Sequence, residues 1–379
     1  MRHFLLSCAI LVAFTSSGQQ TFTKPGNKIL VISGGGARGA WGVGVVTSLY
    51  KKSGGYKAVF GTSTGSLMAS YILLQEFDTL ADAYSRVNQD SIFNVNPFNV
   101  HYDNVKDSVY TTLKTFKILL RVLFGKNTMG ETKPLLDLIH RYLTPAKFAL
   151  LLEHYKNDDM RMTVTVTNMR TGEVKMKSDS GYFNTPESYK DFCNWIWASA
   201  NEPIFMSYYT VGGADYVDGG VREVIPVQNA LYYAIEHNID SVDVVINNSL
   251  VPINQDWHAA NGGLIYGLQR LLGVYDLGTV VYNENYAELM NLYYTCAQKA
   301  PREGPNPNLV SDSNSKKSIH LRFICIPLEL AQRYADELGF VPKPMQELIN
   351  AGLQFGLNPQ PCFEGELDRS SIRKMQKIQ

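Results

Sequence analysis

Two glycine-rich turns, each lying between an apolar run and a helical pattern, constrain the fold of this chain more than any other feature. The first turn is GGGARG at 34–39 and the second is GTSTG at 61–65, and helical patterns follow over 37–52 and 64–74. Two successive strand–turn–helix units with short connections are typical of a parallel sheet covered by helices. The sequence therefore predicts an α/β fold, a three-layer α/β/α sandwich with a mostly parallel central sheet.

Later runs supply the other strands of that sheet. Strands are predicted at 162–169, 174–177, 211–217, 241–247 and 319–327, with a helix over 188–200. Helical patterns dominate 77–155, which we interpret as a helical insertion. We predict a single domain over 19–365, followed by a polar C-terminal tail over 366–379.

The first 18 residues have the layout of a secretory signal peptide. Arg2 precedes an apolar run over 4–14 that is too short to span a bilayer, and small residues follow that run. We therefore expect an exported protein that is periplasmic, secreted or membrane-associated. Cys8 also allows a lipoprotein anchor, although it lies within the apolar run rather than after it. Beyond this segment lie four cysteines, which allow three full pairings among which the sequence does not choose: Cys193, Cys296, Cys325 and Cys362.

Composition limits the classes of partner. The 379 residues include 35 basic and 35 acidic side chains, so the formal net charge is zero, and 45% are hydrophobic. This apolar content excludes a disordered chain. The chain also lacks the overall basic excess that is typical of nucleic-acid binders, so we expect no nucleic-acid partner.

The first glycine turn matches a nucleotide-binding pattern in form but not in context. Gly34, Gly36 and Gly39 satisfy G-x-G-x-x-G. That fingerprint also requires an acidic residue about 20 positions later to bind the ribose, and no acidic residue occurs before Glu76. A phosphate-binding loop requires lysine after its last glycine, where this chain has Ala40. We therefore expect no nucleotide and no other cofactor.

An oxyanion hole is a better interpretation of this turn. Adjacent glycines at a helix N-terminus expose backbone N–H groups that can stabilise a negatively charged oxygen. The candidate donors lie at Gly35, Gly36, Ala37 and Arg38. A tight strand-to-helix turn without chemistry remains the alternative. The Arg38 side chain could stabilise the loop, contact the anion or form a surface salt bridge.

The second glycine turn has the form of a nucleophile elbow. Gly61, Ser63 and Gly65 form G-x-S-x-G, with Thr64 directly after the serine. The motif requires a strand before it and a helix after it, and both are predicted here. The sequence therefore predicts Ser63 as a nucleophile.

A serine hydroxyl needs a base to become a strong nucleophile. An α/β-hydrolase would use the chain order Ser, Asp, His, in which His258 or His320 could serve. The other candidate is Asp218, which Gly219 and Gly220 follow. In a partly desolvated site an aspartate can accept the serine proton. An Asp-Gly hairpin turn is the alternative for this segment.

Taken together, these motifs resemble those of the patatin-like phospholipases. GGGARG at 34–39 is similar to the oxyanion loop of that family, GTSTG at 61–65 to its nucleophile elbow and DGG at 218–220 to its catalytic aspartate motif. The segments at 163–174 and 197–206 agree in order and spacing. The resemblance implies a patatin-like fold and hydrolysis of acyl esters of phospholipids or other lipids. It also implies a Ser63–Asp218 dyad that uses neither histidine nor metal.

Departures from the family pattern leave the substrate preference open. Ser33 precedes the glycines where some members have aspartate, and Ser66 follows the elbow where glycine is common. Residues 222–226 lack the asparagines that often follow the aspartate motif. A non-enzymatic lipid-binding protein on the same fold therefore remains an alternative.

The segment 110–126 has the pattern of an interfacial helix. Lys114, Lys117 and Arg121 fall near one helical face. The apolar area comes from Phe116, Leu119, Leu120, Leu123 and Phe124. A basic amphipathic helix can lie on an anionic membrane surface, so we interpret this segment as a lid or a membrane-contact element and expect peripheral membrane contact. The alternative is a helix packed on the core with a solvated basic edge.

Overall fold

A mixed nine-stranded sheet forms the centre of the protein in the computed structural model, which describes residues 22–105, 107–248, 318–334 and 336–369. In chain order the strands are β1 (Gly26–Ile32), β2 (Tyr56–Thr62), β3 (Phe98–Asp103), β4 (Ser108–Leu113), β5 (Arg161–Asn168), β6 (Val174–Ser178), β7 (Tyr209–Val211), β8 (Ala214–Asp218), β9 (Ser241–Ile246), β10 (Ser318–Cys325) and β11 (Phe363–Asp368). The order in the sheet is β11-β10-β9-β1-β2-β5-β8-β7, with β6 also paired to β5. The five strands from β10 to β5 run parallel.

Helices cover both faces of this sheet. They are α1 (Gly39–Ser53), α2 (Thr64–Leu73), α3 (Phe77–Arg86), α4 (Gln89–Ile92), α5 (Thr115–Leu123), α6 (Lys133–Tyr142), α7 (Pro145–Asp158), α8 (Pro186–Ser199), α9 (Val227–Glu236), α10 (Leu328–Arg333) and α11 (Pro342–Leu357). Because successive strand residues point to opposite faces, Leu30 and Ile32 pack with α1 and α11, whereas Ile29 and Val31 pack with α9. The predicted three-layer sandwich is confirmed.

The inserted segment is less helical than its sequence pattern indicated. Strands β3 and β4 form a separate antiparallel hairpin between α4 and α5. Phe98 and Val109 are its fully buried side chains, and most of the remainder is partly or fully exposed. A hairpin with so little buried apolar surface gives only a weak alternating pattern. Its position is set by Asp336, whose carboxylate accepts a hydrogen bond from the N–H group of Thr111 at 2.9 Å.

The sheet also extends further toward the C-terminus than predicted. Strand β11 crosses the predicted boundary at 365 and reaches Asp368, pairing antiparallel with β10. Its sequence, FEGELD, is not an apolar run. This strand lies at the edge of the sheet, and edge strands commonly carry charged side chains. The last ten residues of the predicted tail, 370–379, lie outside the described residues.

One of the possible cysteine pairings is present. A disulfide joins Cys325, at the end of β10, to Cys362, directly before β11. Cys193 is a free, buried thiol on α8, and burial raises its pKa to about 12. Cys296, Cys8 and the predicted signal peptide at 1–18 lie outside the described residues.

None of the helices within the described ranges is long and apolar enough to cross a membrane.

Candidate active site

Ser63 lies on a sharp turn between β2 and α2. Its backbone has φ 54° and ψ −123°, a conformation that residues with side chains rarely adopt. A Cβ atom on Gly61 would lie 2.5 Å from the carbonyl carbon of Gly65, and one on Gly65 would overlap the carbonyl oxygen of Ile32. Both elbow glycines are therefore required by close backbone approach, as the motif predicts.

Two buried serines hold this turn in place. The N–H group of Ser63 donates to the hydroxyl of Ser199 at 3.1 Å, and that hydroxyl donates to the carbonyl oxygen of Thr165 at 2.6 Å. The Ser66 hydroxyl lies 2.8 Å from the Gly61 carbonyl oxygen and 2.7 Å from the Ser199 hydroxyl. The sequence did not assign a role to Ser199, although the resemblance at 197–206 contains it. Ser66, which is a departure from the family pattern, forms a hydrogen bond within the elbow, to the Gly61 carbonyl oxygen.

Strands β2 and β8 bring Ser63 and Asp218 together because they meet end to end along β5. On one edge of β5, Thr62 pairs with Thr165 and Asp218 pairs with the next residue, Val166. Strand β6 occupies the opposite edge. Ser63 follows Thr62 directly, so two residues that are 155 positions apart in the sequence lie at the same point of the sheet.

Asp218 is buried, with 2% of its surface exposed, and closely held. Its carboxylate accepts a hydrogen bond from the N–H group of Gly220 at 2.7 Å, and its own N–H group donates to the carbonyl oxygen of Asn201 at 2.9 Å. A Cβ atom on Gly219 would lie 2.5 Å from the Thr165 carbonyl oxygen. The two glycines after Asp218 therefore allow a tight turn against β5, and this segment is a site wall rather than a hairpin tip.

The first glycine turn lies beside Ser63. A Cβ atom on Gly34 would lie 3.3 Å from the Cβ atom of Ser63. Gly35 and Gly36 have φ values of 137° and 50°, which favour glycine. Gly39, at the start of α1, packs so closely on Thr64 that a Cβ atom there would overlap the threonine hydroxyl. The loop therefore contacts the elbow through glycines.

Two of the four proposed oxyanion donors already have acceptors within the protein. The Ala37 N–H group donates to the carbonyl oxygen of Glu337 at 2.8 Å, and the Arg38 N–H group donates to that of Gly35 at 3.0 Å. Within the described part of the chain, the N–H groups of Gly35 and Gly36 make no backbone hydrogen bond. These two groups are the donors that an oxyanion could use.

The side chain of Arg38 stabilises the loop. It is buried, forms an ion pair with Glu337 and lies 3.3 Å from the Oδ1 atom of Asn248. It is therefore neither a surface salt bridge nor a residue that lines the cavity beside Ser63.

Ser33 and Asn247 anchor the start of the loop. The Ser33 hydroxyl donates to the Gly34 carbonyl oxygen at 2.7 Å and accepts from the Asn247 N–H group at 2.8 Å. A Cβ atom on Gly42 would overlap the Asn247 side chain, so this helix glycine makes room for the asparagine. Ser33, a second departure from the family pattern, thus ties β1 to the end of β9.

The catalytic candidates share one cavity. Gly36, Ser63 and Asp218 line it, together with Glu202 and Glu337. Its volume is about 110 Å³, against the roughly 10–15 Å³ that one water molecule needs. The rest of the wall is largely apolar and includes Leu67, Tyr71, Leu80, Ala83, Val87, Ile92, Leu135, Leu138, Ile139, Tyr142, Leu143, Ile196, Met206, Leu338, Phe340 and Met345. The cavity therefore suits an apolar chain that carries a reactive carbonyl group.

The histidines that the structure describes do not line this cavity. His320 pairs with Ser241 at the start of β9, whereas Ser63 follows the end of β2, so the two lie at opposite ends of the parallel strands. The ring of His320 contacts Glu364 and Glu366 on β11 instead. A Ser–His–Asp triad through His320 is therefore wrong, and His258 lies outside the described residues. Within the described ranges, no group of three or more His, Cys, Asp or Glu side chains could hold a metal ion.

Comparison with known proteins identifies the family of this chain. The family model of the patatin-like phospholipases matches residues 30–231. A curated protein of Invertebrate iridescent virus 6, "Probable lipid hydrolase 463L", is 24% identical over 222 residues, which cover 58% of this chain and 68% of the viral protein. The crystal structure of VipD from Legionella pneumophila overlaps with a TM-score of 0.35 at 13% identity, covering 91% of this chain and 68% of VipD. Because the family match spans more than half of the 379 residues and includes Ser63 and Asp218, this chain belongs to the patatin-like phospholipase family.

Proposed function

We propose that this protein is a serine lipid acyl hydrolase, similar to a phospholipase A or a lysophospholipase. Family membership and the viral relative support a lipid-hydrolysing enzyme. The observation that carries the finer proposal is that Ser63, Asp218 and Gly36 line one apolar cavity. A lipid acyl ester is a substrate with both the apolar chain and the reactive carbonyl that such a site accommodates.

In the proposed reaction the Ser63 oxygen attacks the ester carbonyl carbon while Asp218 accepts the hydroxyl proton. The N–H groups of Gly35 and Gly36 stabilise the resulting oxyanion. The N–H group of Thr64 is a further donor, because the first residues of a helix have no intrahelical acceptor.

When the tetrahedral intermediate collapses, the bond between the carbonyl carbon and the leaving oxygen breaks, and the lipid alcohol departs with the proton from Asp218. A water molecule then attacks the acyl-enzyme and transfers its proton to Asp218. The fatty acid leaves when the Ser63 oxygen takes the proton back. Each proton that Asp218 accepts is thus returned within the same cycle.

The test compares three variants on a soluble p-nitrophenyl ester. Ser63→Ala and Asp218→Asn should each lower kcat at least roughly a thousandfold, since removal of a nucleophile or its base costs about this much. Ser70→Ala is the matched control, because Ser70 lies on the same helix and lines the same cavity. If folded Ser63→Ala is as active as wild type, the proposal is wrong.

A fluorophosphonate probe separates this proposal from a non-enzymatic lipid-binding protein. Labelling that requires Ser63 supports the hydrolase. A folded wild-type protein that binds fatty acid but is not labelled would favour the lipid-binding alternative.

We also propose that the protein is exported. Disulfides persist mainly in oxidising compartments, and the Cys325–Cys362 bond supports such a destination. Expression of the full chain followed by cell fractionation tests this. Recovery of the protein in the cytoplasm with both cysteines open to alkylation would contradict it.

A further inference from the structure

Helix α5 exposes most of its apolar side chains to solvent. Phe116, Leu123 and Phe124, at or next to this helix, are 72, 71 and 78% exposed. Leu119, Leu120 and Val122 are also exposed, and Ile118 is the buried residue of the helix. A helix packed on the core would bury such side chains, so the core-packed alternative considered for this segment is wrong. Monomeric proteins rarely leave a contiguous apolar surface of this kind without a binding role.

The charge around this apolar surface has one sign. Residues 108–130 contain four basic residues and no acidic one. Two of the four basic side chains contact other residues of the protein. The Lys114 ammonium group lies 3.3 Å from the Asn96 carbonyl oxygen, and the Arg121 side chain forms an ion pair with Glu131 at 3.0 Å. Lys117 and Lys126 remain exposed beside the apolar side chains. Exposed cations that flank an apolar face are complementary to a surface of anionic lipid headgroups.

Lys114 and Arg121 also fix α5 to the neighbouring segments of the protein through further hydrogen bonds. Lys114 also donates from its backbone N–H group to the Pro97 carbonyl oxygen at 2.8 Å. At the other end, the Nε atom of Arg121 donates to the Thr128 carbonyl oxygen at 2.8 Å. The helix is thus held near both ends by polar contacts, while all of its apolar side chains except Ile118 are exposed to solvent.

The segment that anchors α5 also supports the cavity wall. The Met129 N–H group donates to the Ile204 carbonyl oxygen at 2.7 Å, and the Thr132 hydroxyl donates to the Asn201 side chain at 2.6 Å. Asn201 in turn accepts the backbone hydrogen bond of Asp218. Because Glu202 and Met206 of this stretch line the cavity, α5 is connected to the cavity wall through the segment 129–132.

We propose that α5 is the membrane-docking element of this protein. Its apolar side chains insert into the interface of a bilayer that contains anionic lipid, with Lys117 and Lys126 at the level of the headgroups. Docking in this orientation brings the cavity wall at 201–206 toward the lipid from which an acyl ester would enter. The docking step itself does not depend on the proposed hydrolysis.

The test measures vesicle binding by sedimentation. The protein is the full chain with Ser63→Ala, so that the lipids are not hydrolysed during the assay. The vesicles contain either phosphatidylcholine alone or phosphatidylcholine mixed with phosphatidylglycerol. Replacing Phe116, Leu123 and Phe124 by Ser should lower partitioning onto the mixed vesicles by at least roughly tenfold. The matched control replaces Phe183, Leu328 and Leu357, which are exposed apolar residues elsewhere, by Ser. Equal loss in both triple variants overturns the proposal.

The charge contribution is tested separately. Replacing Lys117 and Lys126 by Gln should weaken binding to the mixed vesicles by roughly fivefold per lysine, and it should leave binding to neutral vesicles unchanged. Lys156 and Lys190, exposed on α7 and α8, are the control pair. If the control pair weakens binding as much, the docking surface is not α5.

Two further outcomes would also overturn the proposal. In the first, light scattering shows that the wild-type protein is a dimer and the apolar triple variant a monomer, and neither protein binds vesicles. A second copy of the chain, rather than a membrane, would then cover α5. The other is loss of soluble-ester hydrolysis when the apolar triple substitution is made in a chain that retains Ser63, because α5 would then be part of the catalytic architecture. Retained soluble hydrolysis with lost vesicle binding supports docking.

Discussion

At the scale of single residues, the backbone of the proposed nucleophile, Ser63, depends on a second serine, Ser199, to which we assign no chemical step. The positive φ of Ser63 is a conformation that costs about 1–3 kcal/mol and must be held by its surroundings. Its N–H group donates a hydrogen bond to the hydroxyl of Ser199, and that hydroxyl donates to the carbonyl oxygen of Thr165 on β5. Ser199 is therefore a positioning residue that joins the elbow to the strand that also pairs with Asp218.

Ser199→Ala tests this role. The substitution leaves the Ser63 N–H group without its acceptor, so we expect the free energy of unfolding to fall by about 1–3 kcal/mol. We expect kcat on a soluble ester to fall while KM changes little, because the attacking oxygen moves but the cavity does not. Steady-state kinetics and urea unfolding measure the two effects.

Ser66→Ala is the control for that experiment. It removes the bond to the Gly61 carbonyl oxygen but leaves the bond between Ser63 and Ser199 in place. Its effect on kcat should be clearly smaller. A kcat loss as large as that of Ser199→Ala would show that Ser199 has no special part in positioning Ser63.

At the scale of elements, the loop between β1 and α1 depends on the segment that leads into α11. The Ala37 N–H group and the Arg38 side chain both bind Glu337. A Cβ atom on Gly36 would overlap the Glu337 carbonyl oxygen. The shape of the proposed oxyanion hole is therefore set by residues about 300 positions later in the chain.

Gly36→Ala should displace this loop and reduce kcat strongly, by roughly a hundredfold if one oxyanion donor is lost. Gly54→Ala is the matched control, since Gly54 also has a positive φ, 75°, but has no atom near its missing side chain. Activity assays and thermal unfolding of both variants check the prediction. Equal effects would mean that backbone strain, rather than contact with Glu337, causes the loss.

The sequence predicted the elements around the site better than those at the edges of the sheet. Strands β1, β2 and β9 are buried on both faces, so each gives a short, largely apolar run that ends at a turn, and β5 was predicted from its alternating MTVTVTN pattern. The hairpin of β3 and β4 and the edge strand β11 bury little, and their patterns did not identify them. The motifs predicted Ser63 and Asp218. Ser199 lies in the segment 197–206 that resembles the family, but that resemblance did not indicate its hydrogen bond to Ser63.

At the scale of the whole molecule, two buried carboxyl groups make stability depend on pH. Burial raises the pKa of Glu223, just beyond Asp218, to about 7, and the Asn229 amide group opposes this only partly. Burial likewise raises the pKa of Asp179, which accepts the Met162 N–H group near the start of β5, to about 7.

Both groups retain their proton in the folded protein at pH values where the unfolded chain has lost it. Their contribution to stability is therefore complete below the unfolded pKa, about 4, and is lost as the pH rises to about 7. Above about pH 7 both groups are ionised in the folded and the unfolded chain, so they no longer make the free energy of unfolding change with pH. We expect the free energy of unfolding to fall over this interval.

Glu223→Gln should remove the part of the pH dependence of the free energy of unfolding that Glu223 causes. The amide stays neutral, so the variant should be more stable than wild type at about pH 8 by on the order of 2–3 kcal/mol and nearly equal to it at about pH 4. Urea unfolding at both pH values measures the difference. Glu187→Gln, at an exposed position on α8, is the control, and a pH slope that Glu223→Gln leaves unchanged would contradict the assignment.

The meeting of β2 and β8 on one edge of β5 has a consequence for how such a site tolerates change. The spacing between Ser63 and Asp218, the proposed nucleophile and base, is set by main-chain strand pairing, with Thr165 opposite one strand end and Val166 opposite the other. Side chains along β5 can therefore be exchanged for others of similar size without altering that spacing. A single residue inserted between these two positions would instead shift one strand end relative to the other, and we expect it to abolish the activity proposed for Ser63 and Asp218 even though both residues are still present.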